Sequence, residues 1–165
     1  MQVFEGSLLV TYVCENGADA SICDDINIFR QPIIDGEMEI VKLLLLRGAN
    51  INQTDQNHKT PVYYAASNGR YDIVEYLCEN GADASISDQG GLQTLLKPSG
   101  DGEKEIVKIL VSKGANPSGG LQAALEYYHY DIVKILIQAE ADVNKVSYVE
   151  YFLTTGEPFK VHLID

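Results

Sequence analysis

The chain has no tryptophan, and only 12 of its 165 residues are lysine or arginine, against 24 aspartates and glutamates, for a formal charge of −12. The few cations are scattered. Without a Lys/Arg cluster there is no surface suited to neutralising the phosphates of DNA or RNA or the headgroups of an anionic membrane. If charge selects a partner, that partner is basic, and association weakens as salt rises. Long apolar runs are missing too. Leu43 to Leu46 reads as a helix interior, well short of the roughly 20 residues of a membrane span. Met1-Gln2-Val3-Phe4-Glu5 has neither the basic start nor the apolar run of a signal peptide. The three cysteines, Cys14, Cys23 and Cys78, are odd in number and lack metal-ligand spacing. They point to a reduced, intracellular setting, the cytoplasm first with the nucleus left open.

Reactive constellations are equally scarce. His58, His129 and His162 have no second His, Cys or carboxylate at metal spacing, and each reads as structural. Asp24-Asp25 and Asp101-Gly102-Glu103 are acidic turns without the ligand alternation of a calcium loop. Gly90-Gly91 and Ser118-Gly119-Gly120 are followed by no Lys-Ser/Thr pair and read as turns rather than phosphate cradles. No serine, cysteine or lysine has an identifiable base beside it, so the chain is expected not to be an enzyme and to need no metal or cofactor.

What the chain does have is repetition. YVCENGADASICD from Tyr12 and YLCENGADASISD from Tyr76 are near copies, and Gly-Ala pairs recur at Gly17-Ala18, Gly48-Ala49, Gly81-Ala82 and Gly114-Ala115, in steps of 31, 33 and 33. Glu140-Ala141 follows 26 residues later. Each pair ends an amphipathic segment of one design: LLVTYVCENGA, EIVKLLLLRGA, DIVEYLCENGA, EIVKILVSKGA, DIVKILIQAEA. In the third, Ile73, Val74, Leu77 and Cys78 share one helical stripe, with Asp72, Glu75 and Glu79 outside it, and the glycine supplies a left-handed cap. Cys14 and Cys78 hold the same apolar position two repeats apart and are expected to be buried and distant. Repeats one and three share CENGADASI, whereas two and four share Asp-Gly-Glu at Asp35 and Asp101 and a proline at Pro32 and Pro98. Duplication of a two-repeat block accounts for this alternation.

A step near 33 is the ankyrin period. The segment DQNHKTPVYYAA from Asp55 to Ala66 resembles the ankyrin opening, with Thr60 as N-cap and Pro61 at the first helical position. The resemblance runs from about Leu8 to Asn144. It implies an all-α solenoid with short β-turn or hairpin fingers, forming one domain over 1–165: repeats at about 1–22, 23–54, 55–87, 88–117 and 118–144, and a C-terminal cap at 145–165. The first helices match less well. Asn27, Gln93 and Gly119 replace the family threonine, and Arg30, Leu96 and Gln122 its histidine, so the usual bonds between loops are mostly lost and mobile turns are expected. Pro32 and Pro98 should make their helices short, kinked or partly 3₁₀, and Gly100 and Gly102 weaken the fourth repeat further. Seven residues are missing between repeats four and five, which removes a finger and leaves a notch. The tail after Asn144 reads as a last helix, from about Ser147 to Thr154, covering the final apolar face. Leu8 to Cys14 already reads as a second helix, so the chain is expected to be a piece of a longer array or to begin with a truncated cap.

The family binds partners through its concave face, made of finger tips and first helices. Carried over by register, that surface comprises Ile26, Ile34, Asp35, Gln56, Asn57, Lys59, Tyr63, Ser67, Asn68, Gln89, Leu92, Asp101, Glu126 and Tyr127, with Gly90 and Gly100 between them. The expected partner is a protein, a basic one if charge selects it, and the chain is a monomer or part of a larger assembly; no nucleic acid and no membrane are expected. Tyrosine suits such a surface because it combines area with a polar tip. Tyr64, Tyr71 and Tyr76 read as space-filling, while Tyr63 and Tyr127 stand evenly between filling and binding. Asn144, with a leucine eight residues before it, resembles the ankyrin substrate of asparaginyl hydroxylases, Asn52 less so. The competing role for such an asparagine is holding its own turn together. The function implied is a non-enzymatic binding module; the alternatives are a permanently packed structural subunit and a recruiting part of an enzyme complex.

Overall fold

The computed structural model describes residues 27–86 and 94–142. Eight α-helices and no strands occur among them: α1 (Asn27–Asp35), α2 (Met38–Leu46), α3 (Pro61–Ser67), α4 (Tyr71–Glu79), α5 (Leu96–Asp101), α6 (Lys104–Ser112), α7 (Ser118–Glu126) and α8 (Tyr130–Gln138). They pair as hairpins, α1 with α2, α3 with α4, α5 with α6 and α7 with α8. The hairpins stack so that first helices pack on first helices and second on second. This is the all-α solenoid implied by the repeats.

Local chemistry sets the helix starts and stops. Thr60 has extended φ/ψ and its hydroxyl accepts from the Tyr63 amide at 3.2 Å, with Pro61 first in the helix, as expected. All four first helices end alike: the amides of Glu37, Arg70, Glu103 and His129 donate to the carbonyls of Pro32, Ala65, Pro98 and Ala124, five residues back. All four second helices do the same, from Ala49, Ala82, Ala115 and Ala141 to Leu44, Leu77, Leu110 and Leu136. Such a wrap requires one left-handed residue just past the helix. Gly36, Gly69, Gly102, Gly48, Gly81 and Gly114 take that place in the first three hairpins, with φ between 64° and 96°. In the last hairpin Tyr128 (φ 62°) and Glu140 (φ 65°) occupy it instead. A side chain there crowds the following carbonyl by about 1–2 kcal/mol. Glu140→Gly is therefore expected to raise stability by about 1 kcal/mol in urea unfolding, and a loss would show that the Glu140 side chain contributes contacts outweighing its strain.

Two expectations about the first helices are corrected. Pro32 lies within a nine-residue α-helix and is buried, so α1 is neither short nor 3₁₀. Pro98 falls at the third position of α5, where a helix amide has no intrahelical acceptor in any case. That helix is short, at six residues, and Gly102 ends it with φ 81°. The second correction concerns Ser118-Gly119-Gly120, which form the first turn of α7 rather than a loop. Asn116 starts this helix early, its side-chain oxygen accepting from the Ser118 amide at 3.0 Å and its carbonyl from the Gly119 amide at 3.1 Å.

The chain passes from Ala115 to α7 through Asn116 and Pro117 alone, so the expected notch is present. Between α2 and α3 a finger does project, at 49–60, made of turns rather than strands. The core is one continuous cluster between the helix layers, including Val41, Leu44, Val62, Ile73, Leu77, Leu95, Ile106, Leu110, Leu121, Ile132 and Leu136. Ile73, Val74, Leu77 and Cys78 are buried while Asp72, Glu75 and Glu79 are exposed, as the periodicity of that segment demands.

Candidate partner-binding surface

The finger is organised by Asp55. One carboxylate oxygen accepts from the amides of Asn57 (2.8 Å) and Lys59 (2.9 Å), and the other accepts from the Tyr64 phenol at 2.6 Å. The finger tip is thereby tied to α3, with Gln56, Asn57 and His58 exposed on it. Behind the tip, Lys59 Nζ lies 5.1 Å from the centre of the Tyr63 ring, which meets the Tyr64 ring edge-on at 5.9 Å. The guanidinium of Arg30, from α1, covers Tyr64 at 5.4 Å. Tyr64 is half-buried within this stack and does fill space, as expected.

These contacts set the ionisation of the pair. Partial burial, then the hydrogen bond to Asp55 and the charge of that carboxylate, push the Tyr64 phenol up to about 12. At Asp55 partial burial acts to raise the pKa, but the phenol and the two backbone amides outweigh it and hold the carboxyl below its ordinary range. The stability that Tyr64 contributes is therefore complete below its unfolded pKa of about 10 and is lost as pH climbs toward its folded value. That of Asp55 is present above an unfolded pKa of about 3.9 and is lost as pH falls through the lower folded value. The stability difference between the wild type and Tyr64→Phe is expected to be flat from about pH 6 to 9 and to shrink above about pH 10. A difference that persisted undiminished in alkali would contradict the hydrogen bond as its source.

The other predicted positions collect at the ends of the first helices. Asp35, Asn68, Asp101 and Tyr127 each sit immediately before the left-handed residue that closes the helix, so they share one register. Asp35 accepts from the Gln31 amide at 2.9 Å, Asn68 donates to the Tyr64 carbonyl at 2.8 Å, and Asp101 pairs with Lys97 at 2.9 Å. Glu126 accepts from Gln122 at 2.6 Å. Asp35, Asn68, Asp101, Glu126 and Tyr127 are exposed, and Ile34, Lys59, Tyr63 and Ser67 are half-buried. The Tyr127 ring lies across Gly100, where an added Cβ would meet it at 3.4 Å. Ile26, Gln89, Gly90, Leu92 and Asn144 lie outside the described residues, as do Cys14, Cys23, the first repeat and the C-terminal tail. Tyr71 departs from its space-filling expectation: it is 42% exposed, its phenol donating to Glu75 at 3.2 Å.

Bonds between hairpins are made by Arg70 and Lys97, which sequence reasoning passed over, and by His129 and Asn52, which it had named. Arg70, at the start of α4, donates to the Ile34 carbonyl, and Lys97 to that of Ser67. His129, at the start of α8, places Nε2 2.9 Å from the Gly100 carbonyl, which gives this histidine a structural role. Asn52 uses both ends of its amide, donating to Gly81 O at 3.2 Å and accepting from the Asp83 amide at 2.8 Å. Ser118 accepts from the Asp142 amide at 2.8 Å in the corresponding place, so this rung survives where the finger is missing. Asn50, Asp83 and Asn116 each accept from the amide two residues on, a recurrence at 33-residue steps that was the available signal.

Among the described residues, no group of three His, Cys, Asp or Glu side chains could hold a metal ion, and no helix is long and apolar enough to cross a membrane. Cys78 is buried, and burial pushes its thiol up; a thiol so held is a poor nucleophile.

A comparison with curated proteins matched none. The family model described as ankyrin repeats (3 copies) matches residues 3–88 and again 33–119, which together span most of the chain and take in the hairpins α1 to α6 described above. Period, helix pairing, left-handed closures and family match agree, and the chain belongs to the ankyrin-repeat family.

Proposed function

We propose that the protein is a non-enzymatic binding module that recognises a protein partner through the side of the array bearing the finger tip and the ends of the first helices. Ankyrin repeats are in general protein-interaction modules. The observation that supports this face is the contrast between a constant frame and variable display. The same backbone closure occurs at four places, yet the exposed residue beside it is Asp35, Asn68, Asp101 or Tyr127. A stacked array allows such variation because each repeat depends only on its neighbours. The chain's charge of −12 favours a basic partner and a salt-sensitive association.

The test is affinity purification of the tagged full chain from its own cell extract, beside a variant carrying Asn57→Arg, Tyr63→Glu and Tyr127→Glu. The partner is expected to be lost with the variant. Equal retention by both chains would reject this face and favour an assembly subunit held through its ends or second helices.

A further inference from the structure

The tyrosines of the array differ in whether this chain covers their rings. Arg30 lies over Tyr64, Lys42 over Tyr76 and Lys59 over Tyr63. Tyr127 and Tyr128 stand 64% and 50% exposed, and no cation of the described residues lies over either ring. Tyr128 meets only Tyr130 among the described rings, edge-on at 6.2 Å. The Tyr127 ring lies across Gly100, and Tyr127 follows Glu126 in the chain. Asp101 is already joined to Lys97, whereas Glu126 accepts from the neutral side-chain amide of Gln122 and pairs with no cation of the described residues.

We propose that the Tyr127 ring, with Tyr128 and the Glu126 carboxylate, seats an arginine or lysine side chain from an extended basic segment of the partner. A cation over an exposed tyrosine face is attracted by the ring quadrupole, and the adjacent carboxylate adds a charge-assisted hydrogen bond. Backbone strain supplies a second observation. Tyr128 occupies with φ 62° the place that glycine holds at Gly36, Gly69 and Gly102. Glu140 shares this conformation at the end of α8, but only at Tyr128 does the strained residue display an exposed ring beside a second exposed tyrosine. This seat rests on the binding face proposed above and identifies what that face takes at the last hairpin.

The probe is a fluorescently labelled oligoarginine peptide, with a Gly-Ser peptide of equal length as control, titrated by anisotropy into the full chain at about 0.15 M salt. Wild type is expected to bind the first and not the second. Tyr127→Ser should weaken binding about tenfold, Tyr127→Phe should restore it to near wild type, and Glu126→Gln should weaken it several-fold. Tyr128→Gly should bind less tightly while melting at a higher temperature, which separates loss of the seat from loss of the fold. No binding of oligoarginine by wild type, equal binding of the Gly-Ser peptide, or unchanged affinity in Tyr127→Ser would each overturn the seat. If Tyr127→Ser is silent but Asp35→Asn or Asn57→Arg alters affinity, the seat fails and the binding face stands. If all three are silent, both fail.

Discussion

Leu44→Ala is expected to cost about 2–5 kcal/mol of unfolding free energy, while Leu46→Ala, two residues along the same leucine run, should stay within about 0.5 kcal/mol of wild type. Helix α2 is tightly phased on its inner side: Val41 is 0% and Leu44 2% exposed, whereas Leu46 is 81% exposed. Leu43 and Leu45 lie half-buried between them. Truncating Leu44 removes apolar area and leaves a cavity between α2 and its neighbours, which a close-packed interior closes only in part. The backbone bond from Ala49 to the Leu44 carbonyl at 3.1 Å survives the substitution, so the loss reports side-chain packing. Urea unfolding of both variants is the measurement. Equal losses would mean that α2 is rotated about its axis from the position described.

Gly120→Ala should destabilise by about 1–3 kcal/mol. Helix propensity alone argues the reverse, since alanine is favoured over glycine by roughly 1 kcal/mol inside a helix. The sign is decided by the crossing of α5 and α7. A Cβ on Gly120 would overlap the Ser99 hydroxyl and come within 2.9 Å of Ser99 Cβ and 3.1 Å of the Leu95 carbonyl oxygen. Ser99 is fully buried and its hydroxyl has no hydrogen-bond partner, so the side chain cannot turn outward without displacing other core groups. Adding Ser99→Gly removes two of the three obstructions and should recover part of the loss, leaving the tight approach to Leu95. A stabilised single variant, or a double variant no better than the single, would refute the close crossing as the reason for glycine there.

The candidate surface was legible to different depths along the chain. In the third repeat the family opening is nearly intact: Asn57 and Lys59 lie on the finger, Tyr63 in the first turn of α3 and Asn68 just past its end. What register could not supply was the set of contacts within the surface. The stack of Arg30, Tyr64, Tyr63 and Lys59 joins residues from two hairpins, and Lys97 reaches both Asp101 and the Ser67 carbonyl. Tyr71 carries the same residue type as Tyr64 yet faces solvent, because the first position of α4 points away from the core while the fourth of α3 points along it.

Most of the helices, with their phase and their ends, are encoded locally in the chain. A 3.6-residue apolar rhythm, Thr60-Pro61 at one start and glycine after helix upon helix act within a single turn of chain, so they are readable without neighbours. Repetition extended this further, since segments of one design share one phase; the exposure of Leu46 lies outside the reading of Leu43 to Leu46 as a helix interior. The joining of the hairpins is settled by their stacking instead. The bonds from Arg70 to Ile34, Asn52 to Asp83 and His129 to Gly100 span 29 to 36 residues of chain, and the clearance at Gly120 is set by Ser99 and Leu95, 21 and 25 residues back. Local propensity has no information about those distances, and they are fixed only when stacked repeats share one core.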